Sequence, residues 1–131
     1  MRVFVIDVNA GTYYTDDIQD DIKSYYKIID CQLIDIAELE IDNTTFDVIY
    51  DDEGMFVKNG ARPSVVDKND NVRMVGTVIF CHANKNGDEI GLNDGDAATL
   101  NKYMLRVVPD HLDKNDSRAK TWYVMKYSFK D

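Results

Sequence analysis

The sequence predicts an α+β fold, a mixed and mainly antiparallel sheet with two helices in the order β-α-β-β-β-β-α-β. Three observations point there. Runs of β-branched and aromatic residues recur from one end of the chain to the other. Short polar turn signals separate the runs in its middle, and two stretches repeat apolar residues at helical spacing.

Arg2 to Val8 is apolar on both faces and reads as an interior strand, broken by Asn9-Ala10-Gly11-Thr12. Thr15 is placed to cap a helix whose first turn holds Asp16 and Asp17, where the helix dipole favours negative charge. Ile18, Ile22, Tyr25 and Ile29 form its buried stripe. On that helix Asp16 would stack over Asp20, and Asp17 over Asp21, as two repulsive pairs.

The run from Cys31 to Ile41 fits helix or strand by spacing and is read mainly as strand. Asp42-Asn43 turns it into a hairpin with Phe46 to Tyr50. After the acidic turn, Met55 to Val57 is a short extended piece and Asn59 to Pro63 a loop. Ser64 to Asp67 and Val72 to Cys81 are strands joined through Lys68 to Asn71, with Gly76 marking a bulge or a close backbone approach. Asn84 to Asp88 is a turn. Asn93 or Asp94 caps a second helix running to about Leu105, with Ala97, Leu100, Tyr103 and Met104 buried. Pro109 stops it, Asp110 to Arg118 is a loop, and Trp122 to Phe129 is a last strand. Residues 1–106 form a single α+β domain, and 107–131 an extension whose strand packs on the same domain.

A chain of 131 residues buries roughly two-thirds of the surface it exposes when unfolded, enough for one core. Its formal charge of −9 argues against direct contact with nucleic acid or an anionic membrane, and favours cations, basic proteins or simple solubility. The charge is uneven. Residues 1–106 carry 20 acids and 10 bases, whereas 107–131 carry 4 acids and 5 bases. Cys31 and Cys81 have no metal-ligand spacing and read as reduced, mostly buried thiols. The apolar run after Arg2 is too short for a signal peptide and no run reaches membrane-spanning length, so a cytoplasmic protein is expected.

The most informative stretch is Tyr50-Asp51-Asp52-Glu53-Gly54, three consecutive carboxylates closed by a glycine. Such a run sits on an exposed turn, holds a cation, or meets a basic partner, and the solvated turn outweighs a metal site by roughly four to one. Three windows, beginning at Asp67, Asn84 and Asp113, look faintly like calcium loops. None has glycine at the sixth position and glutamate at the twelfth, so polar turns are the better reading. Cys81-His82 could supply a nucleophile and a base, but neighbours on a strand point to opposite faces. A buried thiol beside a solvent-facing imidazole is simpler. No catalytic constellation assembles, and neither an enzyme nor a cofactor is expected.

Asp47-Val48-Ile49-Tyr50-Asp51-Asp52-Glu53-Gly54, Asn59, Pro63-Ser64, Val75-Gly76-Thr77-Val78-Ile79-Phe80 and Gly91-Leu92-Asn93-Asp94 together resemble a family. It is domain of unknown function three-eight-four-six, similar over roughly residues 1 to 105, with Tyr50 standing where a cysteine is often found. The resemblance implies a setting in phages and mobile elements of gut and other Firmicutes bacteria, and carries over no catalytic residue. By analogy with other small acidic proteins of such elements, the expectation is stoichiometric inhibition of a host defence protein with a basic surface, as a nucleic-acid mimic. Asp16, Asp17, Asp20, Asp21, Asp51, Asp52 and Glu53 are the expected contact residues. The alternative is a sponge for a nucleotide immune signal, a cyclic dinucleotide or ADP-ribose derivative. It would be built as a homo-oligomer around Tyr13, Tyr14, Lys58, Arg62 and Arg73.

Overall fold

The computed structural model describes residues 1–53, 62–108 and 121–129. Among them are ten strands and two helices in two sheets, an α+β fold whose first sheet is antiparallel and whose second is mixed. In chain order these are β1 (Arg2–Asp7), β2 (Thr12–Asp17), α1 (Ile22–Ile29), β3 (Ile34–Ile41), β4 (Thr44–Asp51) and β5 (Pro63–Asp67). They continue as β6 (Val72–Val75), β7 (Val78–Ala83), β8 (Glu89–Ile90), α2 (Asp94–Asn101), β9 (Met104–Val107) and β10 (Trp122–Tyr127).

The first sheet runs β2-β1-β7-β4-β3, with β8 added to the end of β7, and the second runs β6-β5-β10-β9. Alternation along β1, β4 and β7 divides the core in two. Phe4, Ile6, Val48, Val78 and Phe80 face the second sheet and pack with its Val65, Met74 and Met125. Val3, Val5, Ile49, Ile79 and Cys81 face the other way and are covered by Tyr25 and Ile29 of α1. β1 is thus interior, as its two apolar faces predict.

Four expectations are corrected. Thr15, Asp16 and Asp17 lie on β2, paired with Phe4, Val3 and Arg2, so there are no stacked aspartate pairs on a helix. Backbone pairing with β1 outweighs the weak helical spacing of Ile18 and Ile22. The helix starts after Asp21, whose carboxylate accepts the Ser24 N–H at 2.7 Å, and Ile22 stays 51% exposed. The expected strand over Val72 to Cys81 is two strands in different sheets, because Gly76 adopts φ +84° and redirects the chain. α2 ends at Asn101, not near Leu105, since Met104 to Val107 pair with β10.

Other expectations hold. Asp42 and Asn43 both have positive φ, 51° and 66°, which a two-residue hairpin turn requires. Asn93 caps α2 in a full capping box with Asp96. The Asp67 window is a hairpin turn in which that carboxylate accepts the N–H groups of Asn69 and Asn71. Met55 to Val57 and the loop from Asp110 to Arg118 fall outside the described residues.

Candidate functional site

The sheet separates the expected acidic residues into two groups. Asp16 and Asp17 lie on the edge strand β2 beside Val3 and Arg2, and Asp20 and Asp21 follow in the connection to α1. Asp51 ends β4 level with Asp7, at the opposite end of the sheet and three strands away. That separation is roughly 20 Å from strand spacing and rise.

Around Asp51 the structure adds acids that the sequence did not single out. The Asp51 carboxylate accepts the Glu53 N–H at 2.9 Å, and Asp52 N–H donates to the Leu33 carbonyl at 3.1 Å, tying the turn to the start of β3. Asp35 on β3 accepts from the Tyr50 hydroxyl at 3.2 Å. Burial and the Asp35 charge hold the Tyr50 phenol above its ordinary value. Farther along β3, Glu38 and Glu40 are exposed. Asp35, Glu38, Glu40, Asp51, Asp52 and Glu53 therefore share one sheet edge. The alternating run from Ile34 to Ile41 signalled a strand, but only tertiary order could place that strand at an edge.

Beside β3 lies a hollow of about 320 Å³ lined by Ala37, Leu39 and Met74 together with Tyr50, Arg73 and the acidic Glu38 and Asp51. It lies between β3 and β6, the terminal strands of the two sheets. Arg73 also reaches over the Phe129 ring, 5.1 Å from its centroid.

The residues expected for a nucleotide do not converge. Tyr13 packs between Phe4 and Tyr123, while its neighbour Tyr14 projects from the other face into a hollow shared with Asp7, Asp16 and Lys27. Burial, Asp7 and Asp16 raise the Tyr14 phenol. Arg62 donates to the Val8 carbonyl at 2.9 Å and lies over Trp122. Lys58 lies outside the described residues.

A second polar cluster lies under α1. The Cys81 thiol donates to Glu89 at 3.1 Å, and the Tyr25 hydroxyl donates to Asp20. Burial, then the Glu89 contact, pushes the Cys81 thiol far up, so it is a poor nucleophile. Burial also holds the Cys31 thiol up, at about 11. His82 points to the opposite face from Cys81, as alternation predicts, but is not solvent-facing. It stacks on Phe46 and binds Asp96 at 2.6 Å, because α2 packs over it. Among the described residues no group of three His, Cys, Asp or Glu side chains is placed to hold a metal ion. No helix there is long and apolar enough to cross a membrane.

A family model described as a domain of unknown function, DUF3846, matches residues 1–106. No curated protein and no solved structure matches the chain.

Proposed function

The chain belongs to the DUF3846 family, and from that premise we propose that it acts by stoichiometric binding, offering its acidic β3 edge to a basic, nucleic-acid-binding surface of a host antiviral defence component. One observation carries the reading: the hydrogen bond from Asp52 N–H to Leu33 brings the acidic turn and the carboxylates of β3 onto one edge. Glu38 and Glu40 project from the same face about 6.8 Å apart, two strand residues of about 3.4 Å each. Six carboxylates at and beside one sheet edge steer a basic partner over long range and make the contact salt-sensitive. The phage setting comes from the family resemblance.

The arrangement supports this reading over the nucleotide sponge. An anionic ligand in the hollow beside β3 would meet Glu38 and Asp51 along with Arg73, while Tyr13 packs against the core and Arg62 is held by the Val8 carbonyl and the Trp122 ring.

The test is phage plating on strains that each carry one defence system, with the protein supplied in trans. The wild-type chain is expected to restore plating in at least one strain. Neutralising Asp35, Glu38, Glu40, Asp51, Asp52 and Glu53 to their amides is expected to abolish that rescue, and neutralising Asp16, Asp17, Asp20 and Asp21 to leave it. Rescue by the edge-neutralised variant at wild-type level would refute the reading.

A further inference from the structure

The geometry points to strand addition as the mode of contact: an extended segment of alternating basic and apolar residues pairs with the outer side of β3 over Ile36 to Glu40. This rests on the preceding reading that the β3 edge is the contact surface, and specifies the chemistry of what binds there.

The backbone argument starts at the hairpin. A two-residue turn at Asp42-Asn43 makes Ile41 and Thr44 a hydrogen-bonded pair, so Ile41, Leu39, Ala37 and Asp35 exchange their bonds with β4. Ile36, Glu38 and Glu40 then turn their N–H and C=O groups away from the sheet. The Ile36 N–H fits this phase, since it donates to the Asp35 carboxylate at 2.8 Å rather than to β4. Among the described residues no strand pairs with this outer side.

The two faces of the edge differ, and that difference sets the sequence of the occupant. On the α1 side Glu38 and Glu40 are exposed beside Ile36, itself 43% exposed. Side chains opposite them are directly paired across the strands, where opposite charges attract and like charges repel. Facing the second sheet, Ala37 and Leu39 open onto the hollow of about 320 Å³ with Met74 on its far side. Alternate residues of an added strand therefore meet carboxylates on one face and, on the other, the hollow where Ala37, Leu39 and Met74 lie beside Tyr50 and Arg73.

The same charges select against a second copy of this chain. An antiparallel pairing of two β3 strands that opposes Glu38 to Glu40 would set carboxylate against carboxylate, the usual protection of an exposed edge. A basic segment turns that repulsion into attraction, with main-chain bonds supplying affinity and the alternating side chains specificity.

The probe is a ten-residue alternating Lys-Val peptide, titrated into ¹⁵N-labelled protein beside a version whose alternate backbone amides are N-methylated. Methylation keeps every charge and removes the donors of one edge. The parent peptide is expected to bind at least tenfold more tightly and to shift the amides of β3 most. Ile36→Pro, which leaves the charge unchanged and removes an outward N–H, is expected to weaken the parent peptide about tenfold. Equal affinity for parent and methylated peptides, or no binding of either, would overturn strand addition. If equal affinity is also lost on changing Glu38 and Glu40 to glutamine, the acidic edge survives without it. If that change has no effect on a peptide that binds, the proposed contact surface fails as well.

Discussion

Glu89 shows how one residue's surroundings decide its role. Burial raises its carboxyl, the Cys81 S–H acts against that, and Asp47 and Asp20 raise it further. A carboxyl whose proton is held more tightly in the folded state stabilises the fold fully below its unfolded value. That stability is lost as the pH climbs through the raised one. Wild-type thermal stability should therefore carry a decline that begins near the ordinary glutamate value and runs upward. Glu89→Gln should flatten it, as read from melting temperatures between pH 4 and 8. An unchanged slope in the variant would show that Glu89 titrates alike folded and unfolded. Asp42 acts in the opposite window. Hydrogen bonds from Lys102 and Tyr103 hold its carboxyl down, so its contribution is lost only as the pH falls below the usual aspartate range.

At the scale of elements, the sequence was readable where local chemistry and tertiary pairing agree. Asp42-Asn43 admits positive φ at both positions, and Asn93 with Asp96 forms a reciprocal cap, so hairpin and helix start were both visible. Thr12 to Asp17 was not, because an exposed edge strand carries no buried alternation and its aspartates resemble a helix's first turn. Met104 to Val107 was hidden likewise, since Tyr103 and Met104 continue the helical spacing of Leu100 while the pairing that makes them β9 comes from Trp122 to Met125. The α1 boundary makes the distinction measurable. Asp21→Ala should cost about 1 kcal/mol in urea unfolding, as loss of an N-cap does. Thr15→Ala, on a solvent-facing strand, should stay within about 0.5 kcal/mol. A larger loss from Thr15→Ala than from Asp21→Ala would restore the earlier helix start.

For the whole molecule, the candidate surface was legible only in part. The turn at Asp51 to Glu53 stood out in the sequence, whereas Asp35, Glu38 and Glu40 joined it only because β3 is a terminal strand. The order of strands in a sheet is a long-range property that periodicity does not encode. The same limit applies to the extension. The family match ends at residue 106, yet β10 lies between β5 and β9, parallel to the first and antiparallel to the second. Val124 and Met125 of β10 are buried, Met125 among Val65, Met74 and Leu39. Burying side chains of this size contributes about 1.5–3 kcal/mol each, a large share of the 5–15 kcal/mol typical of a domain. A chain ending at residue 106 should therefore lose cooperative unfolding and bind a hydrophobic dye, because β5 and β9 would have no strand between them. A cooperative transition within a few degrees of the full chain would instead show that residues 1–106 fold as a complete domain to which the last strand merely adds.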